Sequence, residues 1–204
     1  MALKKLNTLG DEPVTLEVVK AYLRLDHDKE DGLLEGFVTA ARSSVEAYTS
    51  RALVRQQWQL TLNAGYAVAR SDAVYLTGDK SRGEKGIELP RSPFVELSGN
   101  PVLISEYGEQ ELKDFRIDSS GRAAHIHFGP TAQAMLHGTG KIQIDFVAGY
   151  DAESLPDSLR QGILMIVAQL YENRVAVNDN PGLVGEFDQG VLSLIKPYQV
   201  KRLA

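Results

Sequence analysis

Apolar residues recur along this chain in two rhythms. Near the N-terminus Leu16, Val19 and Leu23 fall at helical spacing and form one stripe. Pro13 marks the start, Thr15 is placed to accept a first-turn amide hydrogen bond, and Glu17 suits the positive end of a helix. The pattern predicts a helix from Thr15 to about Leu23. A second helix is predicted from about Glu30 to Tyr48, with Leu33, Leu34, Phe37, Ala41, Val45 and Tyr48 on one face. A third runs from about Pro156 to Val175, where Leu159, Ile163, Ile166, Val167, Leu170 and Tyr171 repeat in steps of three and four.

Between the second and third helices the period falls to two. Trp58, Leu60 and Leu62 alternate with Gln57, Gln59 and Thr61, as in a strand with one buried face. Further strands are predicted at Val74 to Leu76, Ile87 to Leu89, Val102 to Tyr107, Phe115 to Ile117, His125 to Phe128 and Lys141 to Val147. Glycine- and proline-rich turns separate them. The expected class is α+β: a small bundle of three main helices, a large antiparallel β insertion between helices two and three, and an extended C-terminal arm. In residue terms, 1–52 and 153–180 make the helical core, 53–152 the insertion packed on it, and 181–204 the arm.

The stretch VEAYTSRALVRQQWQL (Val45 to Leu60) contains the change of rhythm. Val45 and Tyr48 close the helical core, and Trp58 and Leu60 open the sheet. Arg51 is expected to satisfy carbonyls at the helix C-terminus, where a cation is favoured. The arm ends in GVLSLIKPYQVKRLA, with a short helix expected to finish near Ile195, before Pro197. A segment this short and apolar must pack on its own domain or on a partner.

Composition narrows the function. The 204 residues contain no cysteine, which excludes disulfides, thiolate metal sites and cysteine nucleophiles. A net charge of −5 opposes whole-surface attraction to nucleic acid. The N-terminal lysines precede no apolar stretch of signal-peptide length, and the longest apolar run, Gly162 to Leu170, is too short to span a bilayer. The expectation is a soluble protein with no membrane partner.

Candidate chemistry is sparse. His125 and His127 share a strand face and could start a metal site, with His137 further on, but no third ligand has a fixed spacing. The acidic run at 26–31 fails as an EF-hand loop, because its sixth and twelfth positions are Asp31 and Phe37. Capping of the second helix by Asp28 accounts for it instead. No nucleotide-binding, nucleophile-elbow or zincin motif is present. Lys80, Arg82 and Lys85 lie in a basic loop able to touch phosphates without sequence specificity.

Five ordered stretches together resemble the head–tail connector, or adaptor, proteins of long-tailed phages and gene transfer agents. They are PVTLEVVKAYLRLDHDKEDGLL, VEAYTSRALVRQQWQL, LPRSPFVEL, VAGYDAESLPDSLRQGILMIVAQLYENR and LIKPYQVKRL. The resemblance spans about Glu12 to Leu203, but not 64–84 or 119–140. It implies a structural, non-enzymatic and cofactor-free virion subunit, assembled in the bacterial cytoplasm and located in the particle neck. Such subunits form rings, usually of twelve, beneath the portal. There they extend the DNA channel and meet the next tail-side component, a stopper or tail terminator.

On that resemblance, the arm residues Leu194, Ile195, Lys196, Pro197, Tyr198, Gln199, Val200, Lys201, Arg202 and Leu203 are the expected portal-docking segment. Lys80, Arg82 and Lys85 are the expected non-specific contacts to passing double-stranded DNA. The alternative is a nucleic-acid-binding packaging accessory factor, which requires a basic recognition surface that the acidic composition does not favour.

Overall fold

The computed structural model describes residues 1–71, 86–137, 139–173 and 187–200. In chain order the elements are β1 (Ala2–Thr8), α1 (Leu16–Leu23), α2 (Asp31–Thr49), β2 (Gln56–Asn63), α3 (Ala64–Ser71), β3 (Ile87–Glu88), β4 (Phe94–Leu97) and β5 (Val102–Ser105). There follow β6 (Gly108–Glu111), β7 (Phe115–Asp118), β8 (His125–Phe128), α4 (Pro130–Leu136), β9 (Lys141–Ala148), α5 (Asp157–Glu172) and α6 (Gln189–Ile195). A 3₁₀ turn, Lys196–Tyr198, comes last. The fold is α+β. The chain divides into two compact units: Met1–Leu9 with Arg55–Gly149, and Gly10–Val54 with Tyr150–Ala204.

The first unit is built on a six-stranded antiparallel sheet ordered β1-β2-β9-β5-β6, with β4 also paired to β9. The central strand is β9. It pairs β2 along its whole length, while β5 and β4 share its other side. Doubly flanked in this way, it buries Ile142, Ile144 and Phe146 completely and hides Val147 and Ala148 as well. Strand β2 shows the expected alternation, with Trp58, Leu60 and Leu62 buried. Trp58 is a core residue, and the Arg91 guanidinium lies 4.6 Å from its ring centroid. Such a desolvated cation–π contact contributes about 2 kcal/mol. A second sheet, ordered β3-β8-β7, completes the unit.

Four features of this unit depart from the sequence expectation, one being the unpredicted β4, whose register shift between Phe94 and Glu96 leaves no alternation to detect. The sheet begins before the first helix, at β1. A register shift between Lys5 and Asn7 puts Leu3 and Leu6, three apart, in the half-buried positions and so hides the period of two. Strand β6 is exposed at all four residues, so it carries no alternation to detect. Helix α3, AGYAVARS, is made mostly of small residues and α4 has only seven, so neither carries a clear stripe of large apolar side chains. Asp114 caps α4 through the Thr131 amide at 2.9 Å, and Gly129 admits that carboxylate, because a Cβ there would lie 2.2 Å from Asp114 Oδ1. The predicted strand Val74 to Leu76 lies outside the described residues.

The second unit packs α1, α2, α5 and α6 around one core, which includes Val19, Leu34, Val38, Ala41, Val45, Leu159, Ile163, Val167, Val191 and Ile195. Each large side chain so buried contributes roughly 1.5–3 kcal/mol. Thr15 caps α1 by accepting from the Val18 amide at 3.4 Å. At the other end Arg24 takes a left-handed conformation, and the Leu25 amide donates to the Lys20 carbonyl. That is a Schellman ending in which Arg24 stands where glycine is usual. The α2 stripe is rotated from the expected face. Leu33 is exposed, whereas Val38, Arg42, Glu46 and Thr49 are buried.

Candidate functional site

The C-terminal segment is held by its own unit. Val191 and Ile195 of α6 are fully buried against α5. The approach is close at Gly162, where a Cβ would lie 2.8 Å from Ile195 Cγ2. Beyond α6 the chain returns to the end of α2, where the Val200 amide donates to the Thr49 carbonyl at 2.9 Å and Gln199 Nε2 to the Tyr48 carbonyl at 3.3 Å. Those last-turn carbonyls have no partner within the helix. The C-terminal segment supplies one.

Arg51 secures this return. Its Nε donates to the Tyr198 carbonyl at 2.6 Å and its Nη1 to the Tyr150 hydroxyl at 3.1 Å. The sequence reading placed Arg51 on carbonyls at the end of α2. In the structure the carbonyl that it holds belongs to the terminal turn, and the tail caps the helix. Ser50 makes this geometry possible by taking a left-handed conformation at φ 58°, which turns the chain out of α2.

A largely buried ionic network holds α2 along its buried side. Arg42 donates from Nε to Glu12 Oε2 at 2.7 Å, from Nη2 to Glu12 Oε1 at 3.0 Å and from Nη1 to Glu46 Oε2 at 3.1 Å. Glu46 Oε1 also accepts the Leu53 amide at 2.9 Å. The network thus links the chain before α1 to the chain leaving α2. Burial alone would lower the Arg42 pKa, but Glu12 and Glu46 outweigh it and hold the pKa above its ordinary value. The spacing Arg42–Glu46 on the apolar stripe is the signal by which sequence reasoning could have found this pair.

The acidic run at 26–31 acts as a latch. Lys20 donates to Asp28 and, at 3.0 Å, to Asp31. Asp28 does not cap α2; the N-cap residue is Glu30, with no side-chain cap bond, and Asp28 instead pairs back to α1. The hydrogen bond from Lys20 holds the Asp28 carboxyl below its usual range, and the hydrogen bonds to Asp28 and Asp31 raise the Lys20 pKa.

His125 and His127 do share one face of β8, opposite Asp118 and Arg116 of β7 respectively. Burial pushes the His127 pKa down, and the neighbouring Arg116 and His125 add to this. Among the described residues no group of three or more histidine, aspartate or glutamate side chains is arranged to hold a metal ion. His137 follows α4, exposed and away from a ligand set. Lys80, Arg82 and Lys85 lie outside the described residues, as do Lys201, Arg202 and Leu203. Of the arm residues described, Ile195 is buried, Leu194, Tyr198, Gln199 and Val200 are half-buried, and Lys196 and Pro197 are exposed.

With that geometry in place, known proteins supply the context. Residues 13–88, from the start of α1 to β3, match the profile of the phage gp6-like head-tail connector protein family. This stretch bears a connector signature. Among solved structures, a chain from the neck of an empty gene transfer agent particle computed with C6 symmetry is 22% identical. The alignment covers 100% of this chain and 98% of that one, with a TM-score of 0.70. A chain from the virion of the native gene transfer agent particle is 23% identical over the same shares, also at 0.70. One from the native neck computed with C12 symmetry is 22% identical over the same shares, at 0.62. These likenesses establish a shared fold along the entire chain. No curated protein matches.

Proposed function

We propose that the protein is a structural subunit of the neck of a phage-like or gene transfer particle. In this role it forms a ring of twelve copies beneath the portal, continues the DNA channel and offers a platform to the next tail-side component. The observation that carries this reading is the coincidence of two likenesses: the connector signature at 13–88 and the whole-chain fold of gene transfer agent neck chains. The role is mechanical and not enzymatic. A net charge of −5 suits a channel wall, since DNA must slide past it and not be clamped.

The arm hypothesis becomes narrower in the light of the fold. Leu194 to Val200 are committed largely to their own unit, so portal docking falls to the exposed Lys196 and Pro197 and to Lys201, Arg202 and Leu203. Removing the whole of 192–204 would open the core at Ile195 and test folding instead of docking. The informative variant lacks only 201–204 and carries Lys196→Glu. Its affinity for the purified portal is expected to fall at least tenfold, and unchanged affinity would remove the arm from the account. For Lys80, Arg82 and Lys85, replacement of all three by serine is expected to lower DNA retention in assembled particles. Equal retention would exclude them as channel contacts.

A further inference from the structure

The two ends of the strand order β1-β2-β9-β5-β6 carry opposite charges, and the short β4, paired only to β9, lies off that path. Among the described residues neither β1 nor β6 has a second strand partner. Strand β1 carries Lys4 and Lys5, both exposed, and no acid. The β5–β6 hairpin carries Glu106, Glu109 and Glu111, all exposed, with Tyr107 at its tip 85% exposed. Glu111 is engaged locally, by Lys113 at 3.9 Å and Asn100 at 3.3 Å. Lys4, Lys5, Glu106 and Glu109 form no ion pair with any described residue.

Charge on a sheet edge ordinarily prevents uncontrolled pairing, and lysine is the usual means. Charge of either sign would serve that purpose, so it does not explain why the two ends carry opposite signs. Two like edges repel each other, so β1 against β1 and β6 against β6 are both disfavoured, while β1 against β6 of another copy is attractive. That is the requirement for a heterologous, head-to-tail contact, which closes rings, as opposed to an isologous one, which makes dimers.

We infer that the occupant of each edge is a second copy of this chain: the acidic β5–β6 hairpin of one copy seats on the lysine edge of β1 in the next. This rests on the ring reading above and names the surfaces that would close it. Each strand-to-strand step twists a sheet by about 20–25°, so four steps set β1 and β6 at a steep mutual angle. The contact is therefore made by side chains and is salt-sensitive, not a continued backbone ladder.

The test uses the full chain with its portal, and ring closure is read by native mass spectrometry and electron microscopy. Lys4→Glu with Lys5→Glu, or Glu106→Lys with Glu109→Lys, is expected to reduce closed rings at least tenfold. A chain carrying all four reversals restores complementarity and is expected to recover to within about threefold of wild type. A second measurement exploits the absence of cysteine. The edges are separated by four strand spacings, about 19 Å, so Lys5→Cys with Glu109→Cys cannot bridge within one copy. Oxidising that ring should give a ladder of covalent multimers, whereas either cysteine alone should stop at dimers. Normal closure by the single-edge variants, failure of the fourfold swap, or absence of the ladder overturns the edge contact while leaving the connector role intact. If the wild-type chain forms no ring at all, the connector reading falls, and this contact with it.

Discussion

The two units use their charged groups in opposite ways. In the helical unit charges are spent internally: Arg42 on Glu12 and Glu46, Arg51 on the terminal turn, Lys20 on Asp28 and Asp31. In the sheet unit Lys4 and Lys5 of β1 and Glu106 and Glu109 of the β5–β6 hairpin are exposed on strands with no second partner among the described residues. A side chain committed inside a unit buys stability, and one left at an edge is available for assembly. The contrast therefore separates what holds the subunit together from what it has left to offer neighbours.

Substitutions should divide along the same line. The largest effect is expected at Arg42→Ala, which strands Glu12 and the buried Glu46 without their cation. Removing one partner of a buried ion pair costs about 3–5 kcal/mol, so the denaturant midpoint should fall steeply. Lys4→Ala, on the sheet edge, should change stability by less than about 0.5 kcal/mol. Comparable losses at both sites would abolish the contrast.

Arg51→Ala comes next. It removes charged hydrogen bonds to the Tyr198 carbonyl and the Tyr150 hydroxyl, each worth about 1.5–3 kcal/mol. Hydrogen exchange should accelerate at Gln199 and Val200, while β2 and β9 keep their protection. Unaltered exchange at the tail would mean that Arg51 does not hold it. The smallest effect concerns the exposed Lys20–Asp28 latch. Because the Asp28 carboxyl is depressed, its contribution is present above the ordinary aspartate value, about 3.9, and is lost as pH falls through the lower folded value. Lys20 is raised, so its contribution holds below about 10.4 and is lost as pH rises through the higher folded value. Carbon-detected NMR titration of Asp28 should give a midpoint below the ordinary one; a normal midpoint would show the latch to be open in solution.

How far the fold was legible follows from the same physics. α1, α2 and α5 could be read because their stripes cover one to several helical turns. β2, β8 and β9 could be read because one face is buried along their length. β1 was hidden by its register shift, and β6 by exposure on both faces, the condition that also makes it available to another copy. Arg42 and Glu46 were readable in principle, as an i,i+4 pair on the apolar stripe. The partner of Arg51 was not, since Tyr198 lies 147 positions away and no local pattern announces it. The shared face of His125 and His127 followed from strand geometry. The internal anchoring of the C-terminal segment required the structure.

The central claim concerns assembly, and electron microscopy of the purified chain mixed with its portal tests it most directly. The account predicts a closed, twelve-membered collar on one face of the portal, coaxial with the channel. A portal that stays bare at saturating subunit, or carries scattered monomers with no shared axis, would contradict it.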